Sequence, residues 1–379
     1  MKLSINWVCI VLLAFSSAGC SGEKYPKDND SIEALSFGKT AALNGEQILE
    51  NELSYIIETA GDYVLLEQDS KDTSQNVYHV YDAKDLSFLG AIGKRGQGPG
   101  EFYGAQYADQ HYKEGDDTFI WVNDAPQYRI TSINVTESLR SGQTVYGRVI
   151  KHHPKYNFQN TLFVVGTSDL IGYQPGFLPN TNEYPLHVLK GGASLSELRS
   201  GNESWTDMGE YPKVNGLDLI PNGEKYSAIF RRADIAMKPD QTRFVVAMKY
   251  YDRLDIFKRN GDLVESVRDP ERYKEYNAAE VYDPETMVKV KDRFDYYQNV
   301  VGTDNYIYAL YYNRNMGELN DEMGEAVEIR VFDWDGEPMF LLKCPDNLLL
   351  ISVDEKNGFI YGHVEDEQKF MRYSLEGIL

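Results

Sequence analysis

From about residue 55 to its end, the chain alternates short apolar runs with polar turns, and no long stretch of helical period interrupts them. Six runs are alike in length and make-up, at residues 62–67 (DYVLLE), 118–123 (TFIWVN), 161–167 (TLFVVGT), 243–250 (RFVVAMKY), 305–312 (NYIYALYY) and 358–363 (GFIYGH). Most follow a polar turn such as Ala60-Gly61, Pro239-Asp240 or Thr303-Asp304. Several turns are themselves preceded by another apolar piece, such as Ile56-Ile57 or Ile235-Ala236-Met237. After the run comes a third apolar piece and then a hairpin signal, as at Asn260-Gly261 and Asp335-Gly336. Such pairs suit tight hairpins, because both central residues must take positive φ.

Each unit therefore reads as four short strands, and six units predict an all-β fold, a six-bladed β-propeller over residues 31–379. A four-stranded blade has two apolar faces and cannot bury both alone, whereas a ring buries both. The spacing is uneven, so insertions are expected at about 169–227, which reads as a weak blade decorated by long loops, and at about 269–300; a pair of β-sandwiches is the competing arrangement. Residues 278–292 have helix propensity broken by Pro284, which predicts one or two short helices there. The ring also needs a lock, and residues 31–38 are expected to pair with the last blade near residues 370–375.

The first residues break this pattern. Lys2 precedes an apolar run from Trp7 to Phe15, and Ser16-Ser17-Ala18-Gly19 supplies the small residues that a signal peptidase requires. Residues 1–19 read as a secretory signal, too short to span a bilayer. Ser17-Ala18-Gly19-Cys20 resembles a bacterial lipobox, departing from it in Ser17 where Leu is usual. That resemblance makes Cys20 the first mature residue and the site of lipid attachment. Residues 20–30 are polar and read as a flexible tether. Ser21 stands where many inner-membrane lipoproteins carry Asp, which points to an outer-membrane lipoprotein on its periplasmic or cell-surface face.

Composition narrows the partners. The formal net charge is -21, and loss of Lys2 with the leader makes it one unit more negative. Such a surface repels phosphate backbones, so nucleic acid is not an expected partner. Beyond the leader and Cys20 the sequence holds one cysteine, Cys344, so no disulfide forms within the mature domain. Without an adjacent His, Cys344 reads as a small buried hydrophobe.

One loop carries a further likeness. Residues 90–102 read GAIGKRGQGPGEF. No Gly-Lys-Ser/Thr closes the segment, so it is not a phosphate loop. It resembles the GxGxGPGEF-like segment of TolB-like and NHL-like six-bladed propellers, on Gly93, Gly96, Gly98, Pro99, Gly100, Glu101 and Phe102. Residues 303–310 (TDNYIYAL) also look like that family. The TolB-like propellers of Gram-negative lipoproteins look most similar, because they couple such a loop to a lipobox. The resemblance implies the fold and says little of function. Physically the loop reads as a structural linker, with Phe102 plugging between blades and Glu101 accepting from backbone N–H groups. The competing reading is an anion-binding nest with Lys94 and Arg95 at its tip.

Candidate chemistry is sparse. The six His residues (His79, His111, His152, His153, His187, His363) fall in no metal-binding spacing, and no GxSxG elbow occurs. No catalytic residue, metal site or cofactor is assigned. Tyr173, Phe177, Tyr184, Trp205 and Tyr211 offer an aromatic platform for a sugar or peptide; packing of these rings onto the blade is the alternative. The sequence thus reads as a monomeric binding or scaffold module, lipid-anchored to a membrane, for a protein, peptide or glycan. The enzyme alternative is a metal-assisted lyase or hydrolase, its His and carboxylates converging in the central channel.

Overall fold

The computed structural model describes residues 34–379 apart from 53, 69–75, 99, 153–161, 174–185, 190–204, 209–213, 222, 224–229, 231, 271–276, 286, 289–293, 316–326 and 365–368. The leader, Cys20 and the tether lie outside the described residues. Six antiparallel sheets form a ring, a six-bladed β-propeller. Blade 1 holds Ser54–Ala60, Tyr63–Gln68, Asn76–Asp82 and Phe88–Arg95, and blade 2 holds Ala105–Glu114, Asp117–Asp124, Arg129–Asn134 and Val145–Lys151. Blade 3 holds Leu162–Val165, Asp169–Tyr173, Leu186–Leu189 and Trp205–Met208, and blade 4 holds Ala233–Met237, Arg243–Met248, Arg253–Lys258 and Leu263–Arg268. Blade 5 holds Phe294–Gly302, Tyr306–Asn315, Val327–Asp333 and Pro338–Cys344. Blade 6 takes Leu348–Asp354, Phe359–Val364 and Lys369–Ser374 from the end of the chain and Gly45–Ile48 from its beginning.

Alternation within single strands builds the core. In the second strand of blade 4, Phe244, Val246 and Met248 pack toward blade 3, while Val245 and Ala247 pack toward blade 5. In blade 1, Val64 and Leu66 face blade 6, while Leu65 faces blade 2. Six apolar clusters result, one at each interface between neighbouring blades. Because both faces of a second strand are covered, it needs apolar residues at consecutive positions, and this is why such strands stand out in the sequence. Five of the six apolar runs are second strands. The run in blade 3 is different: it supplies the innermost strand, Leu162–Val165, and Asp169–Tyr173 is the second.

Ring closure differs in register from the expectation. The closing strand is Gly45–Ile48, antiparallel to Phe370–Tyr373, and not residues 31–38. Just before it, Lys39–Ala42 runs parallel to Phe340–Lys343 as a fifth strand of blade 5. One N-terminal segment thus ties two blades. Backbone pairing selects it, so the segment needs no apolar alternation of its own. The Lys39 ammonium donates to the carbonyls of Gly377 (2.6 Å) and Ile378 (3.1 Å), pinning the two ends together. Cys344 is fully buried between blades 5 and 6, and burial pushes its thiol up to about 11.

The two segments read as insertions contain parts of blades. Residues 169–227 carry three strands of blade 3. Among the described residues, 269–300 hold one helix, Ala278–Val281, capped by Asn277 Oδ1 accepting from Ala279 N–H (3.2 Å), followed by a small hairpin of Tyr282–Asp283 with Met287–Val288. The helix is shorter than its propensity suggests, because the hairpin begins at once and Asp283 caps the turn after Pro284 through Glu285 N–H (2.9 Å).

Candidate functional site in the central channel

The innermost strands of all six blades line the channel, and polar groups stitch each to the next. Tyr107 OH of blade 2 donates to the Thr59 carbonyl of blade 1 (3.3 Å). Gln110 of blade 2 spans to Val164 of blade 3, accepting from its N–H (2.7 Å) and donating to its carbonyl (3.0 Å). Gly166 N–H, just past that strand, donates to Gln241 Oε1 of blade 4 (2.7 Å). Asp234 of blade 4 accepts from Asn299 Nδ2 and Val300 N–H of blade 5, both at 2.8 Å. Asn299 Oδ1 in turn accepts from Ile351 N–H of blade 6 (2.9 Å). Ser352 of blade 6 completes the circuit, its Oγ accepting from Thr59 N–H (2.9 Å). Adjacent β-blades leave their inner edges unpaired with one another, so buried polar groups there need side-chain partners, and this circuit supplies them.

Three carboxyl groups lie on the inner strands of three blades, Glu58, Asp109 and Asp234. Asp109 is exposed to solvent and lines the channel cavity. Burial, the largest cause, raises all three above the ordinary carboxylate range. Like charge from Asp109 adds to the rise at Glu58, and Asp234 adds like charge to both. Asp234 is moderated by the N–H groups it accepts and by Lys249. Behind Glu58, burial also lifts Glu67 to about 7 against the pull of Arg95.

A local backbone distortion places Asp109. Tyr107 pairs with Val122 and His111 with Ile120, so three residues, Ala108 to Gln110, oppose the single Trp121. Within this bulge Asp109 takes φ 48, a left-handed conformation that a non-glycine residue adopts at a cost. Bulges re-aim side chains. This one places Asp109 in the cavity lining and turns Gln110 toward blade 3.

Above the carboxyl groups the channel opens into a cavity of about 280 Å³ at the end where first strands turn into second strands. Five blades line it, through Thr59 and Gly61, Tyr107 to Lys113 with Trp121, Met237 to Gln241, Val301 to Asp304, and Ser352 to Lys356. Its lysines are paired: Lys113 and Lys356 both bind Asp62, and Lys238 binds Asp240 (2.8 Å). These cations hold the Asp62 carboxyl down at about 2, Lys356 most strongly. Glu355 accepts from Thr303 Oγ1 (2.7 Å), Asn305 (3.0 Å) and Tyr308 OH (3.1 Å). His111 sits in the wall, and burial lowers its pKa, leaving a neutral imidazole at pH 7. Among the described residues no group of three or more His, Cys, Asp or Glu is arranged to hold a metal ion.

The loop singled out in the sequence lies elsewhere. Glu101–Phe102 adds to the outer edge of blade 1, parallel to Lys94-Arg95. Phe102 is buried between blades 1 and 2. Glu101 accepts from Gly98 N–H (2.9 Å) and from Lys94 Nζ (2.5 Å), and Lys94 is the main cause that lowers its carboxyl. A Cβ on Gly96 would stand 2.1 Å from Glu101 Oε2, so only glycine fits there. Gly93 and Gly100 both take positive φ; Pro99 lies outside the described residues. Arg95 is buried and donates to the Gln68 carbonyl, so with Lys94 also engaged the loop tip presents no free cation pair. The aromatic set does not assemble into a described platform. Tyr173 is fully buried between blades 3 and 4, and Phe177, Tyr184, Tyr211 and the Trp205 side chain lie outside the described residues.

Sequence reasoning missed Glu58, Asp109, Gln110, Asp234, Asn299 and Ser352. One signal was present: each is a polar residue inside a strand that is otherwise apolar or precedes a turn, as in YIIETA and ADIAM.

No family model matches the sequence, and no curated protein matches it. Solved structures do resemble it. A member of the DUF4221 family from Bacteroides vulgatus is 13% identical with a TM-score of 0.52, over 88% of this chain and 95% of that one. A Bacteroides fragilis protein named for export is 9% identical with a TM-score of 0.48, over 88% of this chain and 98% of that one. At such identities the likeness is one of fold: the chain is a six-bladed β-propeller.

Proposed function

We propose that this chain is an exported lipoprotein, held at an outer membrane through Cys20 and similar in kind to TolB-like propellers, whose channel mouth binds a peptide or glycan. The observation that carries this reading is the cavity of about 280 Å³ into which five blades direct polar side chains. Concave sites with a few convergent polar groups are the usual form of a ligand site. The circuit of bonds beneath it keeps those groups in place, so little ordering is needed on binding. The mixed lining, with Trp121 and Tyr107 beside Gln110, Gln241, His111 and Asp304, suits a ligand with hydroxyl or amide groups better than a purely apolar one.

The test uses the full-length lipoprotein in detergent against peptide and glycan arrays. His111→Ala and Asp304→Ala should each weaken capture by about tenfold. Capture that survives both changes places binding away from the mouth. In cells, Cys20→Ala should release the protein from membranes with its melting curve unchanged; a variant that stays membrane-bound removes the anchor from this reading.

A further inference from the structure

We propose, resting on the mouth as the binding site, that its ligand is a peptide inserting a basic side chain, the ammonium of a lysine or the guanidinium of an arginine. Charge in the cavity lining is divided unevenly. Its ammonium groups are all engaged by the protein. Lys113 Nζ lies 2.9 Å from Asp62 Oδ2, and Lys356 binds the other oxygen of Asp62, which is not part of the lining. Lys238 Nζ lies 2.8 Å from Asp240 Oδ2. The lining carboxyl groups Asp109, Asp304, Asp354 and Glu355 make no ion pair with any described residue.

Their partners are neutral or missing. Asp354 accepts from Asn357 N–H (3.0 Å) and Asn357 Nδ2 (2.6 Å), and Glu355 accepts from Thr303, Asn305 and Tyr308. Among the described residues the Asp304 carboxylate has no hydrogen-bond donor. His111, set in the same wall, has no hydrogen-bond partner among them either, and its neutral imidazole keeps a lone pair to offer. Neutral donors of the lining are spent as well: Gln110 Nε2 on Val164 O, Tyr107 OH on Thr59 O and Thr303 Oγ1 on Glu355.

A ligand group that fits such a lining brings donors and a positive charge. Ammonium and guanidinium groups are donors only, and here they meet open acceptors on blades 2, 5 and 6. A carboxylate or phosphate would instead need Lys113 or Lys356, and would have to take it from Asp62. At about 280 Å³ the cavity lies just below the usual size of small-molecule sites, roughly 300–1,000 Å³, so it admits a single side chain. Apolar surface from Trp121, Met237 and Val301 suits the stem of a lysine or arginine, and the carboxylates suit its end. The whole chain is acidic and attracts cations to any face. What sets the mouth apart is that its carboxylates are open while its own cations are not.

The test presents an array of random hexapeptides, acetylated and amidated, to the full-length lipoprotein in detergent. Captured peptides should be enriched in Lys or Arg, and exchanging that residue for norleucine or citrulline should weaken binding by about tenfold. Asp304→Asn should weaken the basic peptides by about tenfold, and Glu355→Gln carries the same expectation should that variant not fold. Asp116→Asn makes the same change of net charge at an exposed turn of blade 2 outside the lining, and should cost less than about twofold. Asp62→Asn leaves Lys113 and Lys356 without their carboxylate, so it should weaken basic peptides and admit acidic ones. Capture without preference for basic residues overturns the proposal, as does a preference that survives both Asp304→Asn and Glu355→Gln. If that unselective capture is lost in His111→Ala, the mouth still stands as the binding site; if it persists there, the mouth falls too. Capture of glucosamine oligomers in place of every peptide overturns the peptide.

Discussion

Blades 3 and 5 do the same work with unequal means. Blade 5 is built from strands of 9, 10, 7 and 7 residues and carries the extra strand Lys39–Ala42. Blade 3 has strands of 4, 5, 4 and 4 residues. The short blade is held from its sides: Gln110 binds Val164 from blade 2, Gln241 binds Gly166 from blade 4, and apolar clusters cover both faces. In a closed ring, a blade can borrow stability from its neighbours. What it cannot borrow is closure, and that rests on the N-terminal strands beside blades 5 and 6.

The contrast is broken most directly by removing residues 39–48. Blade 6 then loses its outer strand and blade 5 its reinforcement, and calorimetry should show a fall in Tm of more than about 10 °C or loss of the cooperative transition. An unchanged transition would mean that the ring closes without these strands. Next come matched core truncations at two fully buried leucines, Leu310 in blade 5 and Leu170 in blade 3. Each should cost about 2–5 kcal/mol by denaturant unfolding, Leu310→Ala the more, because short strands settle around a void more readily than long ones. The reverse order would show that blade 3 is the stiffer blade. Smallest is Gln110→Ala, which strips the bridge to Val164 and should cost about 1–3 kcal/mol, with faster proteolysis confined to blade 3. A cost below measurement would mean that cluster packing alone holds the short blade.

These regions were unequally legible in the sequence. The second strands could be read because burial on both faces demands runs such as RFVVAM and YIYALYY. The hairpins could be read from Asn260-Gly261 and Asp335-Gly336, but only the glycines take positive φ, 92 and 95, and Asn260 and Asp335 do not, contrary to the expectation for both central residues. In blade 3 the run was visible but its place was not: LFVV is the inner strand, and Gly172 and Asp169 make the true second strand look less apolar. The closing strand GEQI has no alternation to read, because its partner's backbone selects it. The channel was hidden for another reason. Glu58, Asp109 and Asp234 lie in separate blades among 59 acidic residues, and neither the bulge that turns Asp109 nor the distance between the three is encoded in local pattern.

The pinning of Lys39 to the carbonyls of Gly377 and Ile378 joins groups 338 and 339 residues apart in sequence. A ribosome makes Lys39 long before it makes Gly377 and Ile378. Until the last blade is made, Lys39–Ala42 and Gly45–Ile48 are edges without partners, and the first five blades are an open arc. An open arc with a free strand can accept the missing end from another molecule as readily as from itself. Slow folding of this chain at high concentration should therefore yield strand-exchanged dimers whose individual rings are intact, and dilution during folding should suppress them.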